Sequence, residues 1–310
     1  MPFIRRPSLK RDRLFWLLLT GLLLTASGYP LEAYSQDLPS VLQDASVTIR
    51  TEGGQGSGVL FTRGDKSFVW TCGHVVEDLR QTREVIREGK SLTLVEFKDA
   101  EVVQEFRQDG RRVGDSSADA TVIKYSDSEA GHDLALLLIR KRGYSDQCVT
   151  FAKDDVPNAG IPLFHVGSLH GQFGSNSVTD GVLSQVGRVL DLGPSAVVFD
   201  QVSTPSFPGS SGGGVFRKAD GAYIGMLVRG AGETFGFIVP ARRIWSFARE
   251  NSISWAVDPS VPVPSDEELA KITVEDTASG SASGASWDSI TPDPASQALY
   301  PFKIAYPASE

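Results

Sequence analysis

The 310-residue chain carries 30 Lys and Arg against 38 Asp and Glu, a formal net charge of −8, with 41% hydrophobic residues. This is ordinary globular composition, and the length permits one large domain or two smaller ones. The acidic balance, with no cluster of Lys and Arg past the N-terminal segment, argues against a nucleic-acid partner and suits solubility. Cys72 and Cys148 are too few for a disulfide scaffold and form no CxxC pair. Two buried thiols in strands are expected rather than a bridge. The four histidines, His74, His132, His165 and His170, show no HExxH spacing. No metal and no cofactor are therefore expected.

The chain opens with a basic region, Arg5, Arg6, Lys10, Arg11 and Arg13, followed by an uncharged stretch from Leu14 to Leu31. Ala33-Tyr34-Ser35 then has the small-x-small form of a cleavage site. Residues 1–35 read as a signal peptide of an exported protein, periplasmic or extracellular. The alternative is an uncleaved anchor that attaches the chain to a membrane, near the lower limit of the ~17–25 residues a spanning helix needs. Arg5-Arg6 is only a weak match to a twin-arginine signal.

From about Ser46 to Pro240 the chain reads as short β-rich runs broken by turn residues. Gly58 to Phe61 and Ser67 to Trp70 flank Arg63-Gly64-Asp65, a hairpin pattern. Thr121 to Ile123, Leu134 to Ile139, Leu163 to Val166, Val182-Leu183, Ala196 to Phe199, Tyr223 to Val228 and Phe235 to Val239 follow. Several spacings fall near the ~8–12 residues of an all-β barrel or sandwich. Two helices are expected: a charged surface helix over Glu77 to Glu88, and an amphipathic one over Ala241 to Glu250 with Ile244, Phe247 and Ala248 on one face. From residue 256 to 310 the Ser/Pro/Ala-rich composition predicts a disordered tail.

Gly209-Ser210-Ser211-Gly212-Gly213 is the segment richest in chemistry. A serine hydroxyl needs a neighbouring base to act as a nucleophile, and N–H groups aimed at the oxygen that becomes negative. The segment also fits G-x-S-x-G, but an α/β-hydrolase places its histidine after the serine, and no histidine follows Ser211. His74 ends one apolar run and Asp133 opens another, which gives the order His, Asp, Ser.

Ser57-Gly58-Val59 with Thr71 to Val76, Asp133 to Leu137, Phe207 to Gly213, Gly221 to Met226 and Gly236 to Pro240 together resemble the trypsin-like serine proteases of the HtrA/Deg type. The resemblance covers roughly residues 45 to 250. It implies two antiparallel β-barrels of the chymotrypsin type, over about 45–150 and 158–240, within a protease domain of residues 36–255. It also implies peptide-bond hydrolysis through an acyl-enzyme on polypeptide substrates. Carried over residue by residue, His74 is the general base, Asp133 orients it, Ser211 attacks, and the N–H groups of Gly209 and Ser211 form the oxyanion hole. His132, His165 and His170 are expected in core or loop roles. Gly214 stands where the family often has proline and Ser210 where it often has Asn or Asp. The tail is too short and polar for the PDZ domain that often follows.

Phe207, Met226, Leu227 and Val228 are the candidate substrate-binding residues, an apolar lining without Asp or Glu that suits small or medium apolar residues at the cleaved bond. Arg229 is the alternative determinant and would favour acidic ones. Two rival functions stand beside the protease: a silent binding or chaperone-like module on the same fold, and an esterase.

Overall fold

The computed structural model describes residues 38–87, 90–153, 156–191, 196–230 and 234–275. The N-terminal segment read as a signal lies outside them, as do residues 276–310.

A short helix, α1 (Leu38–Asp44), leads into the first barrel. Six strands close it: β1 (Ser46–Arg50), β2 (Gln55–Arg63), β3 (Lys66–Thr71), β6 (Ala100–Gln108), β7 (Arg111–Ser126) and β8 (Leu134–Ile139). The order around it is β1-β2-β3-β8-β7-β6. The second barrel closes from β9 (Pro162–Leu169), β10 (Gly174–Asp191), β11 (Ala196–Val202), β12 (Gly214–Arg217), β13 (Tyr223–Gly230) and β14 (Gly236–Pro240), in the order β10-β11-β14-β13-β12-β9. This is the expected two-barrel architecture. Closure removes the unpaired edges that an open sheet would present.

Inward-facing positions fill each barrel. Ile49, Leu60, Val69, Val102, Val122 and Leu137 pack in the first, and Leu163, Leu183, Val202, Val215, Leu227 and Ile238 in the second. Breaks in register between Val122 and Lys124 and between Gln185 and Arg188 bend the long strands β7 and β10, as closure of a barrel requires. Between the barrels runs a line of aromatic contacts. Phe61 meets Phe151 with ring centroids 6.0 Å apart, Phe151 meets Tyr223 at 4.9 Å, and Tyr223 meets Phe216 at 5.5 Å. The expected helix over Ala241–Glu250 forms as α3 and buries Ile244, Phe247 and Ala248.

Two expectations fail. Glu77 to Glu88 is not a helix. After a one-turn helix α2 (Gly73–Val76) and a 3₁₀ turn (Glu77–Leu79), the chain forms β4 (Arg80–Arg87), which pairs with β5 (Lys90–Phe97) as a separate two-stranded hairpin. Charge alone suggests a helix, but Thr82, Val85 and Ile86, with Val95 opposite Thr82, are β-branched and favour strands. Arg83 and Glu96 pair across it at 2.9 Å.

The tail also begins later than residue 256. Ile253, Trp255 and Val257 are buried, and Trp70 donates its indole N–H to the Ala256 carbonyl at 3.2 Å. Helix α4 (Asp266–Leu269), with a capping box on Ser265 and Glu268, buries Leu269. Residues 273–275 then lie along β7. The Tyr125 amide donates to Val274 O at 2.7 Å, and the buried Lys124 ammonium donates to the carbonyls of Thr273 and Glu275 at 2.9 and 3.1 Å. A few well-placed apolar side chains and prolines hold a segment whose average composition reads as solvated.

Candidate active site

The one-turn helix α2, just after β3, carries His74, and the loop before β8 carries Asp133. Both oxygens of the carboxylate, Oδ1 and Oδ2, lie 3.0 Å from His74 Nδ1. The His74 amide adds a third bond to Oδ1 at 3.0 Å. Asp133 is held in a left-handed backbone, φ +55°, a conformation that Asp tolerates better than bulkier residues. Its amide and that of Gly131 donate to Asp127 O, at 3.0 and 3.1 Å, and the His132 amide donates to Ser126 Oγ at 2.7 Å. Gly73 permits the approach, because a Cβ there would sit 2.3 Å from Ser126 O. Burial alone would raise the Asp133 pKa. The hydrogen bonds and charge of His74 outweigh it and hold the carboxyl below the usual range. The Asp133 side chain is almost fully buried, while that of His74 is 33% exposed and so remains open to a reactant.

Ser211 sits in a tight turn between β11 and β12. The Ser210 amide donates to Phe207 O at 3.0 Å and the Ser210 hydroxyl donates to the same carbonyl at 2.6 Å. Gly209 has φ +86°, and a Cβ there would lie 2.4 Å from Ser168 O, so only glycine fits. Among the described residues, neither the Gly209 nor the Ser211 amide donates to a protein acceptor. Ser211 Oγ lies 3.5 Å from Val228 O, at the limit of a hydrogen bond. No hydrogen bond joins it to His74 in this conformation.

One clamp escaped sequence reasoning. Ser57, fully buried on the first barrel, donates its hydroxyl to Gly209 O at 2.7 Å, and its amide donates to Ser211 O at 2.7 Å. The same hydroxyl accepts the Ser168 amide at 2.7 Å. Both flanks of the nucleophile turn are thus fixed to the barrel that carries His74. The position of Ser57 just before a glycine and an apolar strand was visible, but nothing in the sequence pairs it with a loop 152 residues away.

Met226, Leu227 and Val228, the expected apolar lining, lie on β13. All three side chains are buried, and Leu227 belongs to the second barrel's core. Phe207 remains half-buried, its ring 5.0 Å from that of His170. What β13 offers beside Ser211 is backbone. Leu227 and Arg229 pair with Ile238 and Phe237, leaving Val228 as the extra residue of a bulge. Strand β12 pairs no further along β13 than Met226. Among the described residues, Val228–Gly230 therefore present an unpaired edge to the nucleophile.

His165 is buried against Thr179. The half-buried His132 receives Arg243 on its carbonyl at 2.9 Å. Cys72 is buried and Cys148 exposed, both free, which corrects the expectation of two buried thiols. Cys72 Sγ, His74 Nδ1 and an Asp133 oxygen lie within 4.8 Å of one another and could hold a soft metal ion. His74 and Asp133 are already engaged with each other.

Two closed barrels, with an imidazole–carboxylate pair on one and a glycine-framed serine on the other, define a peptidase of the chymotrypsin type. The chain belongs to the trypsin-like peptidase family, whose domain matches residues 56–226, more than half its length. It is a serine-type endopeptidase. Among solved structures, that of Deg5 is 21% identical with a TM-score of 0.50, covering 70% of this chain and 93% of that one. The HtrA-type protease AlgW, in a structure with a tripeptide, is 21% identical with a TM-score of 0.50, over 71% of this chain and 63% of that one. Rv3671c from M. tuberculosis H37Rv is 19% identical with a TM-score of 0.49, over 74% and 94%. At these identities the likeness is one of fold. No curated protein matches the sequence.

Proposed function

We propose that the chain cleaves exported or misfolded polypeptides through an acyl-enzyme on Ser211, with His74 and Asp133 completing a triad. The observation that carries this reading is the imidazole–carboxylate pair: with His74 Nδ1 committed to Asp133, Nε2 is the nitrogen free to accept a proton. Rotation of the Ser211 hydroxyl from Val228 O toward Nε2 starts the reaction. Oγ attacks the scissile carbonyl as its proton passes to Nε2, and Asp133 stabilises the imidazolium. The oxyanion is met by the Gly209 and Ser211 amides, which have no acceptor of their own among the described residues. The imidazolium then protonates the leaving amine. Water, deprotonated by His74, releases the acyl group. The unpaired Val228–Gly230 edge suits a substrate that adds as an antiparallel strand, which explains recognition through backbone rather than through a deep apolar pocket.

A fluorophosphonate probe tests the assignment. It should label the wild-type chain and leave Ser211→Ala and His74→Ala unlabelled. Labelling that persists in Ser211→Ala excludes Ser211 as nucleophile. An absence of labelling in the wild type, with the fold intact, favours the silent binding module instead.

Export rests on the basic start, the uncharged stretch from Leu14 to Leu31 and Ala33-Tyr34-Ser35. Among the described residues no helix is long and apolar enough to cross a membrane. Mass spectrometry of the native protein should find an N-terminus near Gln36. Intact Met1 in the membrane fraction would support the anchor.

A further inference from the structure

Arg229 follows the bulged Val228 whose carbonyl faces Ser211. It is half-buried, and its side chain crosses from β13 to the Asp133 loop, where Nη2 donates to Ser128 O at 3.2 Å. An arginine carries five N–H donors. Here Nε is buried without a partner, and among the described residues the guanidinium donates to no carboxylate, although its charge helps hold Asp133 ionised. Two of that loop's three acids, Asp127 and Asp133, are already occupied, and the third, Glu129, is exposed. Asp127 accepts the amides of Glu129 and Ala130 at 2.8 and 2.7 Å, and Asp133 accepts His74. A cation is thus held beside the nucleophile of an acidic molecule with most of its donors unused.

Leaving a part-buried guanidinium unpaired is costly, and its planar fork matches a carboxylate in two parallel bonds. A substrate strand laid along Val228–Gly230 places its residues about 3.3 Å apart next to this group. We propose that Arg229 is a specificity-determining residue that binds an acidic side chain of the peptide substrate, within about three residues of the cleaved bond. This rests on the protease reading of the same site. It is the alternative to an apolar lining by Met226, Leu227 and Val228, whose side chains are buried.

The test is kcat/KM for peptide pairs that differ by Glu against Gln at one position, scanned across the three residues on each side of the cleaved bond. The pairs are run with wild type, Arg229→Gln and Arg229→Lys. At one position the wild type should prefer Glu by about tenfold, a ratio that salt reduces. Arg229→Gln should abolish the ratio and Arg229→Lys retain part of it, both variants still labelling with the fluorophosphonate probe. A wild-type ratio near one at every position overturns the proposal, as does an unchanged ratio in Arg229→Gln. Equal loss on both members of each pair, with a displaced pH profile, would assign Arg229 to positioning the Asp133 loop. A wild type that cleaves no peptide and takes no label refutes the protease reading itself, and the proposal with it.

Discussion

Asp133 combines a left-handed backbone, a nearly buried carboxylate and three bonds to His74. Asparagine tolerates the same backbone and volume, so Asp133→Asn should fold normally. It should lose roughly 10⁴ in kcat, because its amide cannot stabilise the imidazolium or hold the correct tautomer. Activity within tenfold of wild type would remove Asp133 from the triad. Ser57 acts one step further out. Ser57→Ala leaves the His74–Asp133 pair untouched but strips Gly209 O and the Ser168 amide of their shared partner. Loss of one buried hydrogen-bonding group costs about 1–3 kcal/mol in stability. The accompanying shift of the Gly209 amide should lower kcat more than it raises KM, measured by steady-state kinetics on a peptide ester. A pure KM effect would mean that the clamp holds substrate rather than the nucleophile turn.

Helix α3 is fixed to the second barrel by a buried pair. Arg242 donates to both oxygens of Asp200, at 2.7 and 2.6 Å, and Asp200 also accepts the Gly187 amide at 2.9 Å. Asp200→Ala should destabilise by about 3–5 kcal/mol, since it removes the carboxylate that both guanidinium nitrogens donate to, whereas an apolar replacement of both partners should cost far less. Chemical denaturation of the single and double variants checks this, and equal losses would contradict it. The elements differ in how legible they were. The hairpin of β2 and β3 announced itself through the Arg63-Gly64-Asp65 turn between alternating runs, and α3 through Pro240 and its apolar face. Strands β4 and β5 escape a charge-based reading because Arg80, Arg83, Glu84 and Arg87 suggest a solvated helix, while the β-branched Thr82, Val85 and Ile86 carry the strand signal. His74, Asp133 and Ser211 were each legible from a strand end or a glycine frame. The Val228 bulge and the Ser57 clamp were not, because both depend on register between segments far apart in the chain.

Across the whole molecule, two histidines outside the His74–Asp133 pair couple folding to pH. Burial lowers His165 from 6.5 to about 4, and burial with the nearby Arg243 charge does the same to His132. Unfolded, both take a proton near pH 6.5; folded, they remain neutral until about pH 4. The unfolded chain therefore binds more protons across that window, and stability falls as the pH is lowered through it. For the fully buried His165 this amounts to as much as ~3 kcal/mol at about 1.4 kcal/mol per pH unit. Calorimetry should show a melting temperature that drops from pH 7 to 4.5, with a shallower drop in His165→Gln. An identical slope in that variant would show that His165 is not the coupled group.

Ser211, activated by His74, is expected to cut polypeptide. Digestion of casein by the purified chain lacking residues 1–35, with Ser211→Ala as control, tests it most directly. Progressive fragmentation by the wild type and none by the variant is the predicted result. Equal fragmentation by both, or none by a wild-type chain that still labels with the probe, would contradict it.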